Sequence, residues 1–201
     1  MIVADVIQGS PEWLAARVGI PTASGFDRII TTKGESSKQA LKYMYQLAAE
    51  RITGVKEETY QNAAMQRGTE MEAEARAMYE LMTGNEVDIV GVCYPDENKL
   101  YGCSPDGLIS KDKSLEIKCP GSAVHVGYLL DGGLPTEYFQ QVQGQLLVTG
   151  RKWVDFFSFY PGIKPLLIRV ERDEKFIKAL MVELEVFCKE LDKTTERIRK
   201  I

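Results

Sequence analysis

Histidine is almost absent from this chain of 201 residues, which contains His125 and no other. A single histidine excludes a Cys2His2 zinc finger, an HExxH metalloprotease and a three-histidine metal centre built from one chain. The four cysteines form no CxxC pair, which disfavours a zinc ribbon or a dithiol redox site and predicts free, mostly buried thiols. They are Cys93, Cys103, Cys119 and Cys188.

Motifs for nucleotide binding and for membrane insertion are also missing. The sequence contains neither a GxxxxGK[ST] phosphate loop nor a GxGxxG turn, so nothing predicts nucleotide hydrolysis or a dinucleotide cofactor. No apolar run approaches the roughly 18 residues of a membrane span, and the start, MIVADVIQGS, has no basic segment followed by an apolar one. We therefore expect a cytoplasmic protein with no membrane partner.

The charge is mildly negative, with 25 Lys plus Arg against 29 Asp plus Glu and a formal net charge of −4. This balance argues against a protein that simply coats nucleic acid, although local basic surfaces around an acidic site remain compatible with it.

The periodicity predicts one domain over residues 1–201, because no repeat, low-complexity tract or long linker divides the chain. Helical patterns, three short strand patterns, further helices, two strands and a last helix follow one another, which indicates an α/β or α+β fold with a central mixed five-stranded sheet flanked by helices. The predicted helices run over about 10–17, 24–30, 37–51, 62–82, 122–130 and 136–148, and from about 173 towards the end.

The segment most indicative of chemistry is Ser104-Pro105-Asp106-Gly107, followed eight residues later by Glu116-Ile117-Lys118. Alternate residues of a strand share a face, so Glu116 and Lys118 lie side by side about 7 Å apart. A hairpin around SKDKS would bring Asp106 beside them. Two carboxylates suit Mg²⁺ or Mn²⁺, and the lysine suits a water nucleophile or a charged transition state. The alternative is a solvated hairpin that these residues merely decorate.

Two polar residues interrupt apolar helical stripes. Glu72 lies on the stripe of the helix predicted over 62–82, where a carboxylate needs a metal, an arginine or a hydrogen-bond donor. Gln143 lies among apolar residues of the later helix, either as a satisfied amide or as a group that holds a water or a phosphate. Both positions remain open between a structural and a catalytic role.

The chain resembles the λ-type alkaline exonucleases of phage recombination, members of the PD-(D/E)xK nuclease superfamily with a restriction-endonuclease-like core. The resemblance spans about residues 10–197, and the motifs occur in the family's order. They are RVGIPTAS, MQRGTEMEAEARAMYELMTG, CSPDGLISKDKSLEIKCP, QVQGQLLVTG and VERDEKF.

The resemblance implies a Mg²⁺-dependent exonuclease that digests one strand of linear double-stranded DNA from its 5′ end and leaves a 3′ tail. It also implies a homotrimeric ring and a single-strand annealing protein as partner. Two Mg²⁺ ions per site are expected, with Mn²⁺ as a substitute. By position, the metal ligands would be Glu72, Asp106, Glu116 and the Ile117 carbonyl, with Lys118 and Gln143 acting on the water. The DNA contacts would be Arg17, Ser24 and Ser104 on the 5′ phosphate, Met65 between the strands, and Lys33 and Lys38 on the backbone.

One basic position of the family is occupied here by Val124, which leaves a phosphate contact missing or replaced, and His125 beside it receives no chemical role. Two other functions remain in competition. One is an endonuclease or repair nuclease of the same superfamily, and the other is a DNA-end-binding scaffold without catalysis.

Overall fold

The structure of the chain, a computed structural model, describes residues 1–56 and 63–201, with the side chains of 63–66 and 69 outside the description. The helices are α1 (Pro11–Ala15), α2 (Ala40–Thr53), α3 (Ala63–Thr83), α4 (Ser122–Asp131), α5 (Phe139–Thr149) and α6 (Glu174–Arg199), with 3-10 helices at Ala23–Arg28 and Thr136–Tyr138. The strands are β1 (Ile2–Ala4), β2 (Val92–Tyr94), β3 (Gly107–Ile109), β4 (Lys113–Lys118), β5 (Trp153–Ser158) and β6 (Leu166–Glu171).

A mixed sheet with the order β3-β4-β5-β6 forms the centre of the described part of the chain. The β3–β4 and β5–β6 pairs are antiparallel, whereas β4 and β5 are parallel and are joined through α4 and α5. A parallel pair needs such a long crossover, and here the crossover carries a helix onto one face of the sheet. The mixed α/β architecture predicted from the sequence is confirmed, with helices on both sides of the sheet.

The sheet has four strands in the described residues rather than the predicted five. The three short strand patterns were expected to lie in the central sheet, but of the corresponding strands only β3 and β4 pair there, as a hairpin. β2 instead pairs with β1 at the start of the chain, with Ile2 opposite Tyr94 and Ala4 opposite Val92. Alternation within a strand determines which residues share a face but not which distant strand becomes its partner, and this explains the difference.

Local sequence features explain where α1 begins and where α2 and α5 end. The Ser10 side chain accepts a hydrogen bond from the Trp13 backbone N–H and so caps α1, with Pro11 at the first helical position. α2 and α5 end at Gly54 and Gly150, which adopt the left-handed conformation that glycine favours.

Two apolar layers enclose the sheet. On one face, Ala75 and Tyr79 of α3 pack against Leu115 and Ile117 of β4. Met82, near the C-terminal end of α3, is about half exposed. On the other face, apolar residues of α5, β5 and α6 pack together, and α5 also contacts the 3-10 helix at Ala23–Arg28. None of the helices in the described residues has the length and apolarity that crossing a membrane requires.

The contact between α5 and the 3-10 helix is close because Gly144 lies against Phe26. A Cβ atom added at Gly144 would collide with the Phe26 ring. Any other residue would push the two helices apart, so this glycine brings the polar side chains of α5 next to the residues that follow α1.

Candidate active site

A pocket of about 220 Å³ lies where β4, α5 and the segment after α1 meet. One end carries the acids and the lysine expected from the DGx…ExK pattern, and the other carries an arginine, a tryptophan and hydroxyl groups. The lining residues are Gln8, Trp13, Arg17, Thr22, Ala23, Ser24, Ser104, Asp106, Glu116, Lys118, Gln141 and Gln145.

The acidic end forms where β3 and β4 lie side by side. Asp106 lies just before β3, and its Oδ2 atom accepts a hydrogen bond of 2.6 Å from the Ile117 backbone N–H. Lys118 and Glu116 share the opposite face of β4 from Leu115, and the Lys118 Nζ atom is 2.6 Å from Glu116 Oε1. The structure thus brings Asp106, Glu116 and Lys118 together, as the strand spacing predicted.

Charges interact strongly at this end. Burial raises the pKa of Asp106 well above its usual value, and the negative charges of Glu116 and Glu72 raise it further. Burial lowers the pKa of Lys118, but the charges of Glu116 and Asp106 outweigh that effect and hold the pKa above its usual value. Lys118 is therefore an ammonium ion in this environment, and its Nζ atom also lies 4.8 Å from the centroid of the Tyr138 ring.

Two glutamines of α5 hold the Glu116 carboxylate. Gln141 Nε2 donates to Glu116 Oε1 and Gln145 Nε2 donates to Glu116 Oε2, both at 2.5 Å. Residues four apart lie on the same face of a helix, which explains how both amides reach one carboxylate. This Gln-x-x-x-Gln spacing is a signal that the sequence analysis missed.

The structure does not bring Gln143 to the pocket, which corrects the expectation from the sequence. Its Nε2 atom donates to the Glu171 carbonyl at 2.9 Å, and its Oε1 atom accepts from the Asp173 backbone N–H at 2.9 Å. Gln143 is two residues from both Gln141 and Gln145, so its side chain leaves the helix on another side. Its amide joins the end of β6 to the start of α6.

Glu72 lies near the acidic end but is paired with Arg76, one helical turn away, whose Nη2 atom is 2.5 Å from Glu72 Oε1. Its charge is close enough to raise the pKa of both Asp106 and Cys119. Within the described residues, no three His, Cys, Asp or Glu side chains are arranged to hold a metal ion together. Asp106 and Glu116 therefore lie together as expected. Glu72 lies near them but forms a salt bridge with Arg76, which was the alternative to a metal-binding role.

The acidic end fits a hard divalent cation. Mg²⁺ is commonly held by one or two carboxylates, keeps several waters and takes phosphate oxygens as further ligands. Asp106 and Glu116 supply two carboxylates beside the backbone of Ile117. Burial and then the negative charges of Glu116 and Glu72 raise the pKa of Asp106, and a cation in this pocket would offset both effects.

The other end of the pocket is centred on Arg17, whose guanidinium lies 3.9 Å from the centroid of the Trp13 ring. Its Nη2 atom donates to Thr22 Oγ1 at 3.3 Å and to Ser24 Oγ at 3.4 Å, and the Trp13 indole N–H donates to Ser104 Oγ at 3.0 Å. The expected residues Arg17, Ser24 and Ser104 are thus together, and the sequence analysis missed Trp13 and Thr22. Trp13 and Arg17 are four residues apart, a spacing that would have predicted their contact on one face of a helix.

Arg17 is a cation without a close carboxylate among its hydrogen-bonding partners in the described residues. Its Nε atom is buried and has no partner there, and burial lowers the pKa of the guanidinium. Because a partly buried cation without a charged partner is costly, this arrangement favours an anionic ligand.

The remaining sequence candidates lie elsewhere. Lys33 and Lys38 are exposed and do not line the pocket, and the side chain of Met65 is outside the described residues. Val124 is about half exposed on α4. His125 is buried between Ser158 Oγ, 2.7 Å from Nδ1, and the Lys164 carbonyl, 3.0 Å from Nε2, in keeping with its lack of an assigned role.

The model of the YqaJ-like viral recombinase domain matches residues 12–152, which include both ends of the pocket. The chain belongs to this family. Among solved structures, it is similar to the alkaline exonuclease LHK-Exo from Laribacter hongkongensis, with 36% sequence identity, a TM-score of 0.86 and coverage of 95% of this chain and 97% of that one. LHK-Exo has also been solved in complex with dAMP. The resemblance to λ-type alkaline exonucleases and the prediction of a nuclease with a role in recombination are confirmed.

A more distant structure shares the fold. A phage-related exonuclease from Haemophilus somnus 129PT is 16% identical, with a TM-score of 0.70 over 89% of this chain and 96% of that chain. No curated protein sequence matches the chain.

Proposed function

We propose that the protein is a Mg²⁺-dependent 5′→3′ exonuclease that digests one strand of linear double-stranded DNA and leaves a 3′ single-stranded tail. One observation carries the proposal: a single pocket joins the Asp106–Glu116–Lys118 group to Arg17, a partly buried cation without a carboxylate partner in the described residues. A terminal 5′ phosphate at Arg17 would leave the next phosphodiester near the acids. This arrangement accounts for both the end dependence and the direction of digestion.

The phosphate end would bind and orient the substrate. The Arg17 guanidinium, which lies over the Trp13 ring, can donate two hydrogen bonds to a phosphate, and Ser24 and Ser104 can add hydroxyl donors. A 5′-hydroxyl end offers no terminal phosphate to these groups. We therefore expect 5′-phosphorylated ends to be preferred.

The acidic end would carry out the hydrolysis. Asp106, Glu116, the Ile117 carbonyl and Glu72 would hold Mg²⁺, which would supply Lewis-acid activation of water and of the phosphate. The Lys118 ammonium would offset the negative charge that develops on the phosphate oxygens in the transition state. Gln141, which lines the pocket and donates to Glu116, would help to orient this carboxylate, whereas Gln143 lies outside the pocket.

A relative that binds dAMP supports a substrate with deoxynucleotide units. The family of viral recombinase domains supports a role in phage-type recombination, in which the 3′ tail would pass to a single-strand annealing protein.

A homotrimeric ring around DNA would provide processivity without tight backbone contacts. The exposed apolar residues Leu41, Tyr45 and Ile52 lie on one side of α2, and apolar surface of this kind suits contact between subunits. Light scattering coupled to gel filtration tests the trimer.

Digestion of three DNA substrates with and without Mg²⁺ tests the proposal. The substrates are a linear duplex with 5′ phosphates, the same duplex with 5′ hydroxyls and a covalently closed circle. We expect rapid Mg²⁺-dependent loss of the first, slow loss of the second and an intact circle, with strand labels showing removal from the 5′ end. Cleavage of circles would instead indicate an endonuclease, and binding of ends without digestion would indicate a scaffold.

A further inference from the structure

The Glu116 carboxylate is held from both sides by amides of one helix. Gln141 Nε2 and Lys118 Nζ contact Oε1, whereas Oε2 accepts from Gln145 Nε2. A carboxylate only accepts hydrogen bonds, so the amide nitrogen of Gln145 must face Glu116. The orientation of this amide therefore follows from its partner.

This orientation leaves the other end of the Gln145 amide unsatisfied. Gln145 is 1% exposed, and its Oε1 atom is buried without a hydrogen-bond partner in the described residues. A buried acceptor of this kind is destabilising. Two other buried glutamines of α5 bond to the main chain instead, Gln140 to the Ile30 carbonyl and Gln143 to both Glu171 and Asp173. Gln145 therefore serves Glu116 rather than the stability of the fold.

We infer that Gln145 is a positioning residue that fixes the Glu116 carboxylate for a divalent cation. This inference rests on the proposed function. Glu116 Oε1 has two side-chain donors, Gln141 and Lys118. Glu116 Oε2 has one among the described residues, which is Gln145. Without Gln145, Oε2 would lose its donor while Gln141 and Lys118 still hold Oε1, so the second oxygen of the carboxylate would no longer be fixed. Residues that orient metal ligands typically contribute about 10- to 100-fold to metal affinity.

The main test compares Gln145→Met with Gln140→Met on the full-length protein. Methionine has nearly the shape of glutamine but no amide, so both changes remove one buried amide from the same helix. Titration with Mn²⁺ alone, without DNA, followed by electron paramagnetic resonance, gives the affinity directly. We expect Gln145→Met to bind Mn²⁺ about 10- to 100-fold more weakly than wild type. Gln140→Met should bind it as wild type does, although both changes remove a buried hydrogen bond and should lower the melting temperature to a similar extent.

Gln145→Asn provides a second variant that retains the amide but is one methylene shorter. It should also lose Mn²⁺ affinity, because the shorter amide does not reach Oε2. Digestion by both variants should recover as the Mn²⁺ concentration is raised, while the KM for DNA stays unchanged. Wild-type affinity in Gln145→Met, or an equal loss in Gln140→Met, would overturn the positioning role. Wild-type protein that binds no Mn²⁺ would contradict the proposed function itself, so the two failures are distinguishable.

Discussion

The two ends of the pocket differ in how their charged groups are bonded. At the acidic end, both oxygens of Glu116 have donors and Lys118 is paired. At the phosphate end, Arg17 contacts uncharged groups, which are two hydroxyls and the Trp13 ring. Its buried Nε atom has no hydrogen-bond partner in the described residues. The first end is oriented before any ligand binds but holds more carboxylates than cations, whereas Arg17 at the second end has no carboxylate partner in the described residues. The acidic end is therefore preorganised for chemistry, and the phosphate end depends on its ligand for charge balance.

Lys118→Ala should have the largest effect, because it removes the positive charge from the acidic end. We expect kcat to fall by about 10³-fold, in the range for a group that acts on transition-state charge. The melting temperature measured with Mg²⁺ should remain close to wild type, because the side chain faces the pocket rather than the apolar core. Single-turnover digestion of a 5′-phosphorylated duplex measures the rate.

Lys152→Ala is the matched control for this change. Lys152 is an exposed lysine that pairs with Asp112 away from the pocket, and its loss should leave the rate unchanged. A Lys118→Ala enzyme with near wild-type kcat would show that the acidic end is not the site of chemistry.

Arg17→Ala should have the next largest effect and should distinguish the phosphate end from the acidic end. Hydrogen bonds to charged groups contribute about 1.5–3 kcal/mol, so digestion of 5′-phosphorylated ends should slow by about 10- to 100-fold. Digestion of 5′-hydroxyl ends should change little, since those ends have no phosphate for Arg17 to bind. The ratio of kcat/KM for the two substrates measures this preference, and an equal loss on both would remove the assigned role.

Gln143→Ala should affect stability rather than rate. It removes two hydrogen bonds between α5 and the turn from β6 to α6, and we expect the free energy of unfolding to fall by about 2 kcal/mol. Gln141→Met, on the pocket side of the same helix, should instead lower kcat with a smaller change in stability. Denaturant titration and single-turnover kinetics on both variants measure the two effects. A rate loss in Gln143→Ala at full stability would restore the role predicted from the sequence.

The contrast among these glutamines shows what the sequence could and could not predict. Asp106, Glu116 and Lys118 were brought together correctly because strand alternation and a short hairpin are local features. The sequence does not specify how α5 is rotated about its axis. A rotation of less than one turn would bring Gln143 to the pocket in place of Gln141. That rotation depends on how Gly144 packs against the distant 3-10 helix. The pairing of β2 with β1 likewise joins segments about 90 residues apart, and no local pattern specifies it.

Substitution of the lysines in the loop before α2 should have the smallest effect and should show whether the phosphate end extends into this loop. Lys33 and Lys38 are exposed and lie outside the pocket, so they would contact only the DNA backbone. Exposed ion pairs contribute about 0.2–1 kcal/mol, so Lys33→Ala and Lys38→Ala should each raise the KM for DNA by about twofold at low salt. Screening should abolish this difference at higher salt, whereas the Arg17→Ala defect should persist there because Arg17 is partly buried. A loop-lysine defect that is as large as that of Arg17→Ala and insensitive to salt would extend the phosphate end into the loop.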